Sequence, residues 1–386
     1  MIAYNPVWIQ NLFTRQWAQQ AFHEDGLNKE ELDNISTKYP VPFYTPNFFI
    51  RVGLIILTAI ICLFSFALLA LVFANSIENA IGGLAIFYSI LTYAALEYMV
   101  KTKRHFQSGV DDALLWIFSG ALFGGISYVY GAGDIANCAI IFIISFYCLL
   151  RFADRLMSVV CYVSLLCIFF FSCVTPGAAA KALVPFVMMA VSAIVYLFVR
   201  RGKKLEINML YSDCLQVISI SALISFYISG NYFVVRELSN EMFNLRLADT
   251  ESIPFGWVFW FFTVAIPVLY ISRGIQKKDN VLLRVGLLLV AAIVFTVRYY
   301  YAILSVEALM AAGGIALMLI SYSLSRYFKT PRYGFTILEV ASAQTPGKPQ
   351  IESILIAQTF TGPATPADVT KFGGGSFGGG GASGGF

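Results

Sequence analysis

Ten long apolar stretches, joined by short polar connections, occupy this chain between about residue 49 and residue 326. A helix needs roughly 20 apolar residues to cross a bilayer core of about 30 Å, and every backbone amide inside lipid must be paired within the protein. The stretches are continuously apolar rather than alternating, which excludes an outer-membrane barrel. Only 12% of the 386 residues are charged, about half the fraction found in a soluble domain. We therefore predict an all-α polytopic membrane helical bundle with about ten transmembrane helices.

The predicted spans divide the chain into three parts. A cytoplasmic helical hairpin is expected at 1–48, a ten-span transmembrane domain at 49–326, and a flexible tail rich in Gly, Pro and Thr at 327–386. The spans themselves are expected at roughly 49–74, 80–100, 111–130, 135–151, 156–174, 182–200, 213–235, 256–273, 280–298 and 302–325.

The Lys and Arg residues between the spans alternate from one side to the other. The odd-numbered connections contain only Lys181, Arg236, Arg246 and Arg298. The segments after the even-numbered spans contain Lys101, Lys103, Arg104, Arg151, Arg155, Arg200, Arg201, Lys203, Lys204, Arg273, Lys277, Lys278, Arg326, Lys329 and Arg332. Because basic connections remain in the cytoplasm, this alternation predicts that both termini are cytoplasmic.

The two ends of the chain are candidate sites for protein partners. Residues 8–17 fit one apolar face of a helix, and Asn28 followed by Glu31 predicts a capping box at the start of a second helix. This hairpin either packs on the inner membrane face or docks a partner. The Gly-rich end is predicted to be a flexible tether, with its regularly placed phenylalanines as candidate partner contacts.

Small residues and prolines indicate how the spans pack. Gly120 and Gly124, with Gly125 beside them, form a small-residue step in span three that predicts close approach of a neighbouring helix. Pro185 and Pro267 lie within spans six and eight, where each is expected to kink its helix.

The sequence contains no motif for catalysis, phosphate binding or metal binding. Its seven cysteines lie in or beside apolar spans, and its two histidines, His23 and His105, are far apart in the chain. We predict no cofactor, no catalytic residue and no enzymatic activity. The basic residues form short clusters at span ends, which indicates contact with membrane lipids rather than with nucleic acid.

The ionisable residues lie at the ends of the predicted spans. Glu97, Asp111, Asp112 and Asp213 are expected at inner ends, with Glu97 beside Lys101. Proton-driven transporters commonly use a carboxylate at mid-depth, where ionisable side chains are costly and functional. The placement of charge therefore argues against a proton-driven transporter with a buried acid.

A group of polar residues at the outer leaflet is the candidate site. We hypothesise that they line an outward-facing pocket for a lipid headgroup or a small anionic solute, with Arg298 as the anion contact. The alternative is an interfacial aromatic belt in which Arg298 pairs with Glu307 or with a headgroup phosphate. The group comprises Arg298, Glu307, Tyr299, Tyr300, Tyr301, Asn231, Tyr232, Arg236, Asp134 and Asn137.

Two local resemblances bear on identity. The segment 22–35, Phe-His-Glu-Asp-Gly-Leu-Asn-Lys-Glu-Glu-Leu-Asp-Asn-Ile, resembles the opening of uncharacterised bacterial polytopic membrane proteins, and residues 284–301 are similar in style. This resemblance implies a bacterial inner-membrane location and no known reaction. The Gly-rich end resembles the tails of bacterial membrane proteins that carry a small extracytoplasmic phosphatase-like domain. No outer connection here exceeds about twenty residues, so the tail transfers no activity.

Two functions remain open, and a third, an intramembrane enzyme, is the least supported. The favoured one is a non-catalytic accessory or scaffold protein, in which the hairpin or the tail binds a protein partner. The alternative is a transporter of small solutes or lipids built from two five-helix halves, as in many transporters with inverted repeats.

Overall fold

A computed structural model of the chain describes residues 2–23, 26–73, 77–174, 178–202, 210–243, 253 and 255–300, with a few isolated positions between 311 and 326. All of these belong to one compact unit, Met1–Ala343. The described chain is all-helical, and its only β pairing is an isolated bridge between Tyr44 and His105. The helices are α1 (Pro6–His23), α2 (Lys29–Lys38), α3 (Phe48–Val72), α4 (Ile77–Lys101), α5 (Val110–Tyr130), α6 (Asp134–Phe152), α7 (Arg155–Val174), α8 (Ala178–Gly202), α9 (Ser212–Gly230), α10 (Tyr232–Phe243), α11 (Gly256–Lys277) and α12 (Asn280–Tyr300).

Nine helices within the described ranges are long and apolar enough to cross a membrane, namely α3 to α9, α11 and α12. The prediction of an all-α, multi-pass membrane protein is thus confirmed, and the first nine predicted spans each correspond to one of these helices. The predicted tenth span at 302–325 lies almost wholly outside the described residues, and so do Tyr301, Glu307 and the tail from 327 onward.

The seventh predicted span, 213–235, is wrong at its outer end. Helix α9 stops at Gly230, Asn231 takes an extended conformation, and the short helix α10 begins at Tyr232. The apolar sequence continues across this point, so periodicity gives no sign of a break. The helix ends there because the side chain of Asn231 and the backbone N–H of Tyr232 form hydrogen bonds with neighbouring helices, and these replace hydrogen bonds within α9.

Two helices, α1 and α2, precede the first candidate membrane helix and contact each other, and we call them the amino-terminal hairpin. The capping box is confirmed, because the side chain of Asn28 accepts the Glu31 N–H at 2.8 Å and the Glu31 carboxylate accepts the Asn28 N–H at 2.9 Å. The hairpin is joined to the bundle, since the backbone N–H of Ala3 donates to the carbonyl of Arg151 at 2.7 Å. That carbonyl lies in the last turn of α6, where helical carbonyls lack a partner within their own helix.

Neighbouring transmembrane helices pack as antiparallel pairs, and α9 also contacts α7, α11 and α12. The close contact between α4 and α5 uses Gly125. A Cβ atom there would lie 2.8 Å from the carbonyl oxygen of Gly82. Gly120 and Gly124 have open space where a Cβ would be, so the predicted small-residue step makes no close contact within the described chain.

Ion pairs join several helix ends at one end of the bundle. They connect α3 with α5, α4 with α6, and α7 with α9, through Arg51–Asp112, Arg151–Glu97 and Arg155–Asp213. Lys101 adds a second cation to Glu97 at 2.6 Å, as its spacing of four residues predicts. We call this the basic end of the bundle, and the amino-terminal hairpin packs against it.

Candidate functional site

The predicted outer residue Asn231 forms the centre of a buried hydrogen-bond cluster. Its Nδ2 donates to the hydroxyl oxygens of Tyr227, at 2.9 Å, and Thr296, at 3.0 Å. The hydroxyl of Thr263 accepts the backbone N–H of Tyr232 at 2.9 Å. Polar groups at the break in α9 thus find partners on α9 itself, α11 and α12, and the cluster ties these helices to α10.

Arg236, also predicted, is buried beside this cluster. Its guanidinium carbon lies 5.0 Å from the centre of the Tyr300 ring, and Nη1 lies 3.3 Å from the Glu237 carboxylate. That carboxylate also accepts the Tyr300 hydroxyl at 3.1 Å. Burial works against the charge of Arg236, but Tyr300 and Glu237 outweigh it, so the pKa of Arg236 is raised. The positive charge of Arg236 is therefore stabilised by Glu237 and Tyr300 within the protein.

The remaining predicted residues take up separate positions. Tyr299 is exposed and meets the ring of Phe233 at 4.7 Å, and Arg298 is half-buried in the last turn of α12. Asp134 is exposed at the start of α6.

Asn137 accepts the Ser127 hydroxyl at 2.8 Å and donates to the carbonyl of Ala132 at 2.8 Å. The structure therefore brings together Asn231, Tyr232, Arg236 and Tyr300, whereas the contacts of Asn137 lie in the turn between α5 and α6. The role of Arg298 in binding an anion stays a prediction.

At the basic end, three aspartates line a cavity of about 120 Å³ together with Arg51 and Tyr4. We call this the carboxylate pocket. Arg51 contacts Asp112 with two nitrogens, at 2.6 and 2.9 Å. Gly109 makes this contact possible, because its φ of +98° and its approach to the Arg51 carbonyl leave no space for a Cβ. Helix α5 can therefore begin directly against α3.

The other two carboxylates of the pocket are held by hydrogen-bond donors. Asp111 accepts the backbone N–H of Ser108 at 2.9 Å and that of Gln107 at 2.8 Å. Asp154 accepts the N–H of Met157 at 2.8 Å and so caps α7. Burial raises the pKa of the Asp154 carboxyl, although its donors act in the opposite direction.

The segment before α1 covers the pocket and separates it from solvent. Tyr4 is only 6% exposed, its ring packs edge-on against Phe106 at 4.9 Å, and its hydroxyl donates to Asp111 at 3.4 Å. Burial and the charge of Asp111 raise the pKa of Tyr4 well above its usual value, so the phenol remains a donor. Across the described residues, no group of three or more His, Cys, Asp or Glu is arranged to hold a metal ion. Within this pocket one carboxylate is paired with Arg51, and the other two accept hydrogen bonds from the protein.

A second cavity, of about 400 Å³, lies between α8, α9, α11 and the start of α12. We call it the lateral groove. Ala193, Ala222 and Phe226 contribute to its walls. Leu197 and Leu269 also line it and are 52% and 55% exposed on the outside of the bundle, so the groove opens toward the surrounding bilayer. Its volume falls within the range of about 300–1,000 Å³ that is typical of small-molecule sites.

Ser192 and Tyr270, two polar residues that line the groove, already have partners within the protein. The hydroxyl of Tyr162 donates to Ser192 at 3.0 Å, and the hydroxyl of Tyr270 donates to the carbonyl of Leu223 at 3.2 Å. A ligand in this part of the groove therefore meets a surface that behaves as apolar.

Three cations, Arg200, Arg273 and Lys277, line the groove at the basic end. In the portion of the chain that the structure describes, none of them forms a salt bridge with a carboxylate. The nearby carboxylate of Asp279 accepts the N–H groups of Val281 and Leu282 and caps α12. The mouth of the groove therefore has a net positive charge next to an apolar interior.

In the sequence these three cations stand out only as markers of membrane orientation. Their spacing contained a further signal, because Ser192, Tyr196 and Arg200 follow at intervals of four, as do Leu269, Arg273 and Lys277. Such intervals place each set on one helical face. The sequence did not show that the two faces meet.

Comparisons with known proteins leave the site to be interpreted from its chemistry. Neither a protein-family model, nor a curated protein, nor a solved structure matches this chain.

Proposed function

We propose that this protein is a lipid-handling membrane protein that takes an amphiphilic molecule from the bilayer into the lateral groove. The observation that carries the proposal is the combination of a bilayer-facing opening, an apolar wall and cations confined to one end. A small hydrophilic solute would gain little from such walls, whereas an acyl chain can leave the bilayer and enter sideways without meeting water. Lipid transport is one of the functions that the sequence leaves open.

The positions of the charges support an orientation with the basic end in the cytoplasm. The amino-terminal hairpin and the cations of the groove then lie on the cytoplasmic side, and a tenth span at 302–325 would return the carboxyl terminus to that side. The bacterial inner membrane, as the resemblance of segment 22–35 implies, is the proposed location.

Cysteine labelling tests this orientation. In a background without native cysteines, Ala136→Cys lies at the proposed outer end of α6 and Lys103→Cys at the basic end, both exposed. A membrane-impermeant maleimide added to intact cells should modify Ala136→Cys alone. Modification of Lys103→Cys with protection of Ala136→Cys would reverse the orientation.

Photo-crosslinking tests occupancy of the groove. The full chain is placed in vesicles that contain a phospholipid with a diazirine in its acyl chain, and the labelled peptides are identified by mass spectrometry. Groove-lining parts of α8, α9 and α11 should be labelled more strongly than other lipid-facing surfaces. Ala193→Trp should reduce this labelling several-fold, because the indole fills the groove.

The matched control is Ile194→Trp on the same helix. Ile194 does not line the groove and is 65% exposed, so an indole there faces lipid and should leave the labelling unchanged. Labelling that is uniform over all exposed helices, or that resists Ala193→Trp, would contradict the proposed function.

The accessory or scaffold role stays a prediction. The hairpin uses part of its apolar surface at the basic end of the bundle, because the guanidinium carbon of Arg104, between α4 and α5, lies 5.2 Å from the centre of the Trp8 ring. The predicted tail contacts lie outside the described residues.

A further inference from the structure

The mouth of the lateral groove contains a charge pattern that selects among lipids. Arg200 lies in the last turn of α8, while Arg273 and Lys277 occupy the last two turns of α11. Cations at helix C-termini commonly complement the helix dipole and extend toward lipid headgroups. Here, however, three of them from two helices border a single cavity, which a general role at the membrane surface does not require.

The length of the groove fits one leaflet. Eight residues separate Ser192 from Arg200, and eight separate Leu269 from Lys277. At a rise of 1.5 Å per residue, each wall extends about 12 Å from the cations into the bundle. Half of a hydrocarbon core of about 30 Å is roughly 15 Å. A molecule with its charged group at the mouth would therefore keep its chain within the leaflet on the basic side.

Resting on the proposed function, we infer that the groove binds an anionic phospholipid from the leaflet at the basic end of the bundle. Its phosphate contacts Arg200, Arg273 and Lys277, and one acyl chain lies between α8, α9 and α11. Guanidinium groups match phosphate oxygens with two parallel hydrogen bonds, and Lys adds a compact charge. Asp279 is an acidic group close to this mouth, and its Oδ1 accepts two backbone N–H groups at the start of α12.

The inference is tested with two photoactivatable probes that differ only in headgroup. Vesicles contain either a phosphatidylglycerol probe, which is anionic, or a phosphatidylcholine probe, which is zwitterionic, at equal density. The yield of crosslinked groove peptides is measured for each. The wild-type protein should favour the anionic probe.

Removing one cation should reduce that preference by about fivefold, since each Lys or Arg near an anionic membrane contributes about a factor of this size. Arg273→Gln is the single variant, and Arg273→Gln combined with Lys277→Gln should lose the preference. Arg273→Lys should retain most of it. The matched control is Arg201→Gln, which removes an exposed cation at the same end of α8 that does not line the groove.

Three outcomes separate the possibilities. Equal labelling by both probes, with Ala193→Trp still blocking it, would overturn the headgroup inference and leave the lipid-handling function standing. An equal loss of preference in Arg201→Gln would show a general surface-charge effect and would also overturn the inference. Displacement of the lipid probe by inorganic phosphate would overturn it as well, because it would indicate a site for a soluble anion.

Discussion

The carboxylate pocket and the lateral groove both lie at the basic end of the bundle, and they use charge in opposite ways. In the pocket, Asp112 faces Arg51, Asp111 and Asp154 accept N–H donors, and Tyr4 covers the cavity. In the groove, Arg200, Arg273 and Lys277 border a cavity that opens to the bilayer.

This difference teaches that charged groups near a membrane point to a ligand where the fold itself supplies few partners for them. Taking an ionised group out of water is costly, and the pocket offsets that cost with partners from α3, α5 and the segment before α1. In the groove, we propose that a molecule from the bilayer supplies the partner for the cations. The two regions should therefore respond differently to loss of charge, in stability for the pocket and in ligand choice for the groove.

The largest expected effect is loss of Arg51 from the pocket. Arg51→Ala leaves the buried Asp112 carboxylate without its cation, which should lower the free energy of unfolding by about 3 kcal/mol. Thermal unfolding of the detergent-solubilised protein measures this effect. The comparison variant is Arg155→Ala. Arg155 also borders the pocket, but it pairs with Asp213, and because both side chains are about half-exposed their ion pair should contribute less than about 1 kcal/mol. Equal effects of the two substitutions would contradict the assignment of Arg51 as the counter-ion of a buried carboxylate.

Removal of the cover should have the next largest effect. Tyr4→Ala deletes a buried ring that packs against Phe106 and Phe152, and we expect a loss of about 2 kcal/mol in stability. Trp17→Ala is the control on the adjoining helix α1, since Trp17 is 58% exposed and should change stability by less than about 0.5 kcal/mol. A stable Tyr4→Ala variant would show that the segment before α1 does not close the pocket.

Asp154 should produce a smaller and pH-dependent effect. Asp154→Ala removes the cap of α7 and should cost about 1 kcal/mol. Asp154→Asn keeps an oxygen for the Met157 N–H but has no charge. Burial raises the pKa of Asp154 in the folded state, so the native protein binds the proton more tightly than the unfolded chain does.

The stabilising contribution of Asp154 is therefore complete below the ordinary aspartate pKa and is lost as the pH rises through the raised value. Unfolding midpoints measured from about pH 4 to pH 8 should fall less with rising pH in Asp154→Asn than in the wild type. Parallel pH profiles would contradict the assignment of a raised pKa.

The smallest expected change in stability belongs to the groove. Arg273→Gln should alter the free energy of unfolding by no more than about 0.5 kcal/mol, because Arg273 is exposed and has no carboxylate partner among the described residues. Paired with its effect on lipid preference, this result would separate ligand binding from folding. A destabilisation as large as that of Arg51→Ala would mean that Arg273 has a structural role instead.

Much of the architecture could be predicted from hydropathy, because the bilayer imposes a length and a composition on every crossing helix. The capping box at Asn28 was equally predictable, since it depends on residues three apart. The break at Asn231 was not, because the partners that replace the helical bonds, Thr263 and Thr296, come from helices distant in the sequence.

The candidate site was only partly predictable for the same reason. The sequence placed Asn231, Tyr232, Arg236 and Tyr300 at a similar depth in the membrane. It could not show that Arg236 would form an ion pair with Glu237. The sequence also predicted a close helix contact at Gly120 and Gly124, whereas the contact is made by Gly125. The rotation of α5 about its own axis decides which glycine faces α4, and that rotation is set by packing. Convergence of Arg200 with Arg273 depends on how α8 and α11 face each other, which single-helix periodicity does not determine.

The bond between Ala3 and Arg151 has a consequence for biogenesis. Residues 2–4 are translated before α3 to α6, yet their docking surface includes the last turn of α6 and the ring of Phe152. They cannot dock until four membrane crossings have been synthesised and inserted. Closure of the carboxylate pocket therefore reports that the first part of the bundle has assembled, and truncated chains that end before α6 should leave Tyr4 accessible to solvent.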